Sequence, residues 1–333
     1  MKRLGVAFSW RENSLENIIK CARCAEEAGV ESVWMPEAWG RDAFLALGAI
    51  AQATERVKLG TGIVNVYSRS PATLAMSVAT LDEISKGRGI LGLGSSGAGV
   101  VERWHGIRYQ RPLTRMRETV AIVRQALSGA TANFQGSVFN VRDFKLAMPT
   151  PNHVIPIYVA ALGPKMLRLA GEVADGVLLY LCSLPLIPKA IEEVRKGAKE
   201  SCRPFENIDI AAHLPTVLSK DRGEAQARVA RVIAYYVGGM GTYYRRAVSE
   251  SGFAAEANKI NEAWQRGDRL SATKAVSEQL IDSVALAGTE DDCRRKLEDF
   301  RRSGLNLPIL SIAALDEQAT ADSCDAIKSL MRD

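Results

Sequence analysis

Histidine is scarce in this 333-residue chain: His105, His153 and His213 stand far apart without ligand spacing, which argues against a histidine-built metal centre, and no metal is expected. Aromatic residues make up only 6%. With abundant alanine, that suits helices packed closely on a sheet better than a β-sandwich. No Lys/Arg run is long enough for a nucleic-acid tail, since the net charge of +5 comes from 43 basic and 38 acidic residues scattered in both signs. Nucleic acid is not expected as a partner. No apolar run approaches the roughly 18 residues of a membrane span, and the start "MKRLGVAFSW" is too short for a signal-peptide core. A soluble cytoplasmic protein is expected. The cysteines Cys21, Cys24, Cys182, Cys202, Cys293 and Cys324 are dispersed and have no secretory context, so no disulfide framework is expected. Cys21 and Cys24 form a C-x-x-C in mid-helix, without a second pair, and read as two small residues on a helix. A G-x-S-x-G elbow and a Walker A lysine are also missing.

What the chain does have is one repeating rhythm. "LGVAF" reads as a strand, and Ser14 then caps "LENIIKCARCAEEAG", whose helical apolar stripe ends at Gly29. "SVWMP", "RVKLGTGIV" and "RGILGLG" are further strands, separated by the helices "DAFLALGAIAQAT" and "ATLAMSVATLDEIS". Later units fit the same alternation: "PIYVAA", "GVLLYL", "IDIAAHLP" and "LPILSIA", each with helical sequence after it. About eight strand–helix units with nearly continuous apolar strands point to parallel strands covered by helices. The expected fold class is α/β, a (β/α)8 TIM barrel over residues 1–333 as a single domain, with a doubly wound sheet as its structural rival. Insertions are expected near 95–113, 130–155 and 238–283, the second shaped as a small hairpin around "NFQGSVFNVRDFKL".

The stretch "GILGLGSSGAG" places Gly92, Gly94 and Gly97 in the spacing G-x-G-x-x-G of a dinucleotide-binding turn. Its place on the fourth strand, the loop-like sequence after Gly97 and the missing acid about twenty residues on argue against that reading. The glycines instead read as backbone that must approach something closely at the strand's C-terminal end. Other unusual positions fall at the same barrel end: Glu37 and Trp39 after strand two, and Gly60 and Gly62 within strand three, where glycine marks a bulge. "AALGP" follows strand five, where Gly163 and the free N–H groups of a helix's first turn would make an anion site. Together these ends suggest a flat ligand carrying a phosphate.

On the stretches "LGTGIVNVYSRSPATLAMSVATLDEISKGR", "ILGLGSSG", "RPLTRMRETVAIVRQALSG", "PIYVAALGPKMLRLAGEVADG" and "ALAGTEDDCRRKLEDFRRSGL", the chain resembles the luciferase-like superfamily of barrels. It resembles in particular the branch that uses the 5-deazaflavin coenzyme F-420, including the methylenetetrahydromethanopterin reductases and related actinobacterial-type oxidoreductases. The resemblance implies a homodimer with the ring at the strand C-termini and a non-prolyl cis peptide at Gly62–Ile63 backing the ring's face. It implies coenzyme contacts from Gly62, Ile63, Asn65, Gly94, Ser95 and Ser96, with the phosphate held at Ala160, Ala161, Leu162, Gly163 and Pro164. Glu37 would contact the ring's polar edge, orient a neighbour or transfer a proton; otherwise it is a rim carboxylate paired with Arg41 or Arg69. The implied reaction is hydride transfer between reduced coenzyme and a small organic acceptor, such as a methylene-tetrahydropterin-type imine or an activated alkene. The pterin reductases carry acids where this chain has Ala7 and Gly97, which puts the C1-pterin reaction in doubt. The acceptor pocket would instead be lined by Trp10, Trp39, Asn65, Tyr67 and Trp104. Two rival readings stay open: an FMN-dependent luciferase-like monooxygenase, and a binding homologue without activity.

Overall fold

Ser14 accepts the Asn17 N–H at 3.0 Å and starts the helix Leu15–Glu27, whose Ile18, Cys21, Ala22, Cys24 and Ala25 are buried. Gly29, at φ 83°, turns the chain back toward the next strand. Asp42 and Ser70 cap the helices Ala43–Ala53 and Pro71–Ile84 in the same way. The computed structural model describes residues 3–8, 14–312 and 317–332. Its barrel strands are β1 (Gly5–Ala7), β2 (Ser32–Met35), β3 (Lys58–Thr61), β4 (Gly89–Gly94), β5 (Ile157–Ala160), β6 (Gly176–Tyr180), β7 (Asp209–Leu218) and β8 (Leu307–Ser311). Every neighbouring pair is parallel, and β8 pairs with β1 through Gly5 opposite Ile309, so the sheet closes. The doubly wound rival falls with that closure.

The barrel is filled, not hollow. Ala7, Trp34, Ile90, Tyr158, Leu178, Ala211, Leu307 and Ile309 pack inside it. Trp34 is fully buried and donates its indole N–H to Ser32 Oγ at 2.9 Å. Gly60 and Gly176 make room for these rings: a Cβ would lie 2.4 Å from Trp34 at the first and 2.4 Å from Tyr158 at the second. A larger core, including Leu4, Ile18, Leu47, Ile50, Leu74 and Phe300, lies between the strands and the surrounding helices.

Three segments interrupt the alternation. After β4 comes a short helix, Ala98–Arg103, with Gly97 at its N-cap, where the sequence reads as loop. The next helix, Pro112–Leu127, begins with a proline in its first turn. Ala132–Gln135 and Asn140–Phe144 form the expected antiparallel hairpin. It is clamped by buried Glu118, whose carboxylate accepts the backbone N–H groups of Ser137 (2.8 Å), Val138 (3.0 Å) and Phe139 (2.8 Å). After β7, helices Arg222–Gly239, Thr242–Val248, Ala254–Gln265, Arg269–Lys274 and Glu278–Val284 share a separate core around Val229, Ile233, Val237, Ile260 and Leu280. This helical layer starts at Arg222, in the helical sequence that follows "IDIAAHLP", and its added helices begin at Thr242. It returns through the strand Leu286–Gly288, which pairs with the far end of β7 at Thr216–Leu218. Among the described residues, no helix is long and apolar enough to cross a membrane.

Candidate active site at the barrel's C-terminal mouth

The β3–β4 ladder contains one extra residue on the β3 side. Gly60 is opposite Ile90 and Val64 opposite Leu93, so four steps on one strand match three on the other. The Gly62–Ile63 peptide in this bulge is cis. Thr61 anchors it, its hydroxyl donating to the Gly92 carbonyl and accepting the Gly92 N–H, both at 2.8 Å. The glycines of β4 answer to this shape: a Cβ on Gly92 would lie 1.9 Å from the Thr61 carbonyl oxygen, and one on Gly94 2.5 Å from Ile63 Cδ1. What presses on Gly92 and Gly94 is thus the neighbouring strand's bulge, where the sequence suggested a ligand. Asn65 completes the turn, its amide oxygen accepting the N–H groups of Tyr67 (2.9 Å) and Ser68 (2.7 Å). Beyond β4, Ser96 takes a left-handed conformation at φ 54°, and Ser95 Oγ donates to the Ser96 carbonyl at 3.4 Å.

One strand further on, Gly163 is the N-cap of the helix Pro164–Val173, with Pro164 in its first position. The Ala161 N–H is used up by the Leu178 carbonyl at 3.1 Å, which corrects its expected part in an anion site. Met166 and Leu167 both donate to the Gly163 carbonyl at 3.0 Å. The N–H groups of Gly163 and Lys165 have no intrahelical partner by position. Gly163, Pro164 and Lys165 are exposed, Ala160 and Leu162 are half-buried, and a Cβ at Gly163 would meet nothing within 4 Å. This end is open to an anion, and the helix dipole and Lys165 favour one.

Glu37 lies at the rim after β2. Arg69 grips both of its oxygens, Nη1 on Oε1 and Nη2 on Oε2 at 2.8 Å, while Oε2 also accepts the Ala43 N–H at 3.1 Å. Arg69 bridges to Asp42 as well, and Glu37's own N–H donates to the Ile63 carbonyl at 3.1 Å. This is the Arg69 pairing that the sequence left open, with Arg41 not the partner of Glu37 in these bonds. Glu37 therefore ties β2 to the bulge.

The aromatic residues sort differently from the sequence expectation. Trp10 lies outside the described residues. Tyr67 is buried, stacks on Tyr109 at 5.2 Å, carries Arg115 over its ring at 4.5 Å and donates its hydroxyl to the Gln110 carbonyl at 2.9 Å. Its ring and hydroxyl are thus engaged with the insertion after β4. Trp39 and Trp104 are 42% and 50% exposed and meet edge to face at 4.5 Å, with Tyr235 6.2 Å from Trp39. Behind them Tyr180, Tyr236 and Tyr244 interlock, with centroids 4.7 to 5.9 Å apart. Sequence reasoning passed over this trio, though the paired "YY" at 235–236 and 243–244 marks it. It also passed over His213, which has no motif around it. His213 follows Ala211 on the inward face of β7, and its ring lies across the barrel from Gly62, whose Cβ would sit 3.0 Å from Cε1. Burial lowers its pKa to about 4, so the ring is neutral at pH 7, and its Nε2 has no hydrogen-bond partner among the described residues.

Known proteins share this fold. The family described as luciferase-like monooxygenase matches residues 3–307. The 5,10-methylenetetrahydromethanopterin reductase of Archaeoglobus fulgidus is 32% identical over 286 residues, 85% of each chain. The F-420-dependent glucose-6-phosphate dehydrogenase of Amycolatopsis mediterranei is 27% identical over 245 residues, 68% of this chain and 72% of that one. The solved coenzyme F-420-dependent tetrahydromethanopterin reductase of Methanopyrus kandleri superposes with a TM-score of 0.87 at 27% identity, covering 99% of this chain and 97% of that one. With a closed parallel barrel, a bulged third strand and an open helix end after strand five, this chain belongs to the luciferase-like family.

Proposed function

We propose that the protein is a coenzyme F-420-dependent oxidoreductase that moves a hydride between the deazaflavin and a small organic acceptor. The observation that carries this reading is the juxtaposition, at one barrel end, of the β3 bulge and the open helix end at Gly163 on the next strand but one. Similarity to F-420-dependent relatives supports the same assignment. The residues fit such a coenzyme: Gly62 and Ile63 offer a flat, uncharged shelf for a ring, and the first turn at Gly163 and Lys165 offers N–H groups and positive charge for a phosphate.

When bound, the coenzyme supplies a hydride carried on carbon. The chain's own groups bind and orient. Glu37 acts as a positioning residue, since Arg69 and the Ala43 N–H occupy its oxygens and its backbone holds the Ile63 carbonyl. Neutral His213 supports the layer below the bulge without adding charge there. The Trp39–Trp104 pair and the tyrosines behind it form an aromatic wall suited to a planar or apolar acceptor. Ala7 is buried on the inward face of β1, and the place of a Gly97 side chain is empty space, so neither position offers a carboxylate for a pterin. An uncharged acceptor is the better match to this chain.

Titration with F-420 and, separately, with FMN tests the proposal through the absorbance and fluorescence of each ring. F-420 is expected to bind and FMN not, and oxidation of the reduced deazaflavin should not require oxygen. FMN binding with oxygen consumption would establish the monooxygenase reading instead, and binding of neither would overturn the cofactor assignment.

A further inference from the structure

The helix Leu15–Glu27 and the last described helix, Glu317–Met331, pack against each other on the outside of the barrel, and three cysteines meet between them. Cys21 and Cys24 are i and i+3 on the buried face of the first helix. The Cys24 thiol donates to the carbonyl of Cys324 at 3.6 Å, and the Cys21 thiol to the carbonyl of Thr320, one turn earlier, at 3.9 Å. Cys324 packs against the same core, and its thiol interacts electrostatically with both. Cys21 is fully buried and Cys24 nearly so, whereas Cys324 is half-buried and is the most open residue of the three.

We infer that this cluster is a peroxide-reactive thiol site in which Cys324 forms a reversible disulfide with Cys24, tying the last helix to the first. In chemical terms, the Cys324 thiolate attacks a hydroperoxide oxygen; the O–O bond breaks, the sulfur becomes the sulfenic acid, and the leaving hydroxide or alkoxide takes a proton from solvent to give water or an alcohol. The Cys24 thiol then attacks the sulfenic sulfur; the S–S bond forms, the S–O bond breaks, and the leaving hydroxide takes the Cys24 proton as water. The surroundings favour the first step. The neighbouring Cys21 and then Cys24 thiols, with Lys328 one turn on, outweigh burial and hold the Cys324 thiol below its ordinary pKa, while the contact with Cys324 and burial raise those of the other two. Cys24 is the partner because its sulfur contacts the backbone of residue 324 itself, whereas the carbonyl that Cys21 contacts belongs to the preceding turn.

The test is peroxide treatment of the folded protein, alkylation, tryptic digestion and mass spectrometry. Trypsin cuts after Lys20 and Arg23, so Cys21 and Cys24 fall in different peptides and the bridge identifies its own partner. A peptide joining Cys24 to Cys324, lost on reduction with a dithiol and absent from Cys324→Ser, is expected. The closed loop is long, so the oxidised wild type should melt roughly 5 °C higher than the reduced form. Oxidised Cys324→Ser and Cys24→Ala should show no such rise. A bridge from Cys21 instead, sulfinic acid at Cys324 without any bridge, or no reaction at all would overturn the inference. None of these readouts depends on a coenzyme.

Discussion

Gly163 occupies an ordinary extended conformation, φ −102°, with free space where a side chain would stand, so the fold itself does not require glycine there. Gly163→Val should therefore fold with a melting temperature close to wild type. A branched side chain at that N-cap would cover the N–H groups that a phosphate needs, and coenzyme binding should weaken at least tenfold, about 1.4 kcal/mol. Unchanged affinity in a fluorescence titration would refute the role of this turn. His213 makes the opposite case. Its Nε2, unpartnered among the described residues, sits in a packed layer, and a buried polar atom left in that state costs on the order of 1 kcal/mol or more. His213→Leu should raise stability at pH 7. The sign with pH follows from the lowered pKa of about 4: between the ordinary value near 6.5 and 4, only the unfolded chain takes up the proton. Wild-type stability should fall across that window as pH is lowered, and His213→Leu should lack that part of the slope in urea midpoints measured from pH 7 to 4.

At the scale of elements, the hairpin Ala132–Gln135/Asn140–Phe144 depends on one side chain of a neighbouring helix. Burial alone would raise the pKa of Glu118, but the N–H groups of Phe139, Ser137 and Val138 outweigh it and hold the carboxyl below its ordinary value. Gly136 is needed opposite, since a Cβ there would lie 2.4 Å from that carboxyl group. Glu118→Gln turns an amide toward these donors and should cost about 2–3 kcal/mol in urea unfolding, with faster hydrogen exchange confined to the hairpin and the helix end beneath it. Uniform exchange throughout the molecule would contradict a local clamp. The hairpin and the bulge were legible in the sequence because turn residues and glycines inside apolar runs have local causes. The helix Ala98–Arg103 was not, because its cap is a glycine with no side-chain bond and it spans only six residues. The partners of Tyr67 come from residues 109, 110 and 115, and no local pattern reports that. Cys324 meeting the C-x-x-C and His213 meeting Gly62 are also invisible locally, since each depends on packing across the closed barrel.

For the whole molecule, closure is reinforced at the end away from the mouth. Arg3, just before β1, donates to Glu31 before β2 at 2.7 Å and to Asp209 at the start of β7 at 2.5 Å, and Tyr158 of β5 donates its hydroxyl to Asp209 from inside. Four strands thus converge on one half-buried charge network. Burial would raise the pKa of both acids, but the bonds from Arg3, and from Tyr158 to Asp209, hold both carboxyls below their ordinary values. A depressed folded pKa contributes stability that is present above the unfolded value, near 4, and is lost as pH falls through the folded values. The wild type should therefore show a second, steeper loss of stability below about pH 4, separate from the histidine window. Arg3→Gln removes the cation that depresses both acids, so it should be less stable at neutral pH and show a flatter acid limb. The two unfolding curves should converge as both carboxyls protonate, because the bond lost in the variant is then weakened in the wild type too. Parallel curves from pH 7 to 2.5 would mean that the barrel closes without drawing on this network.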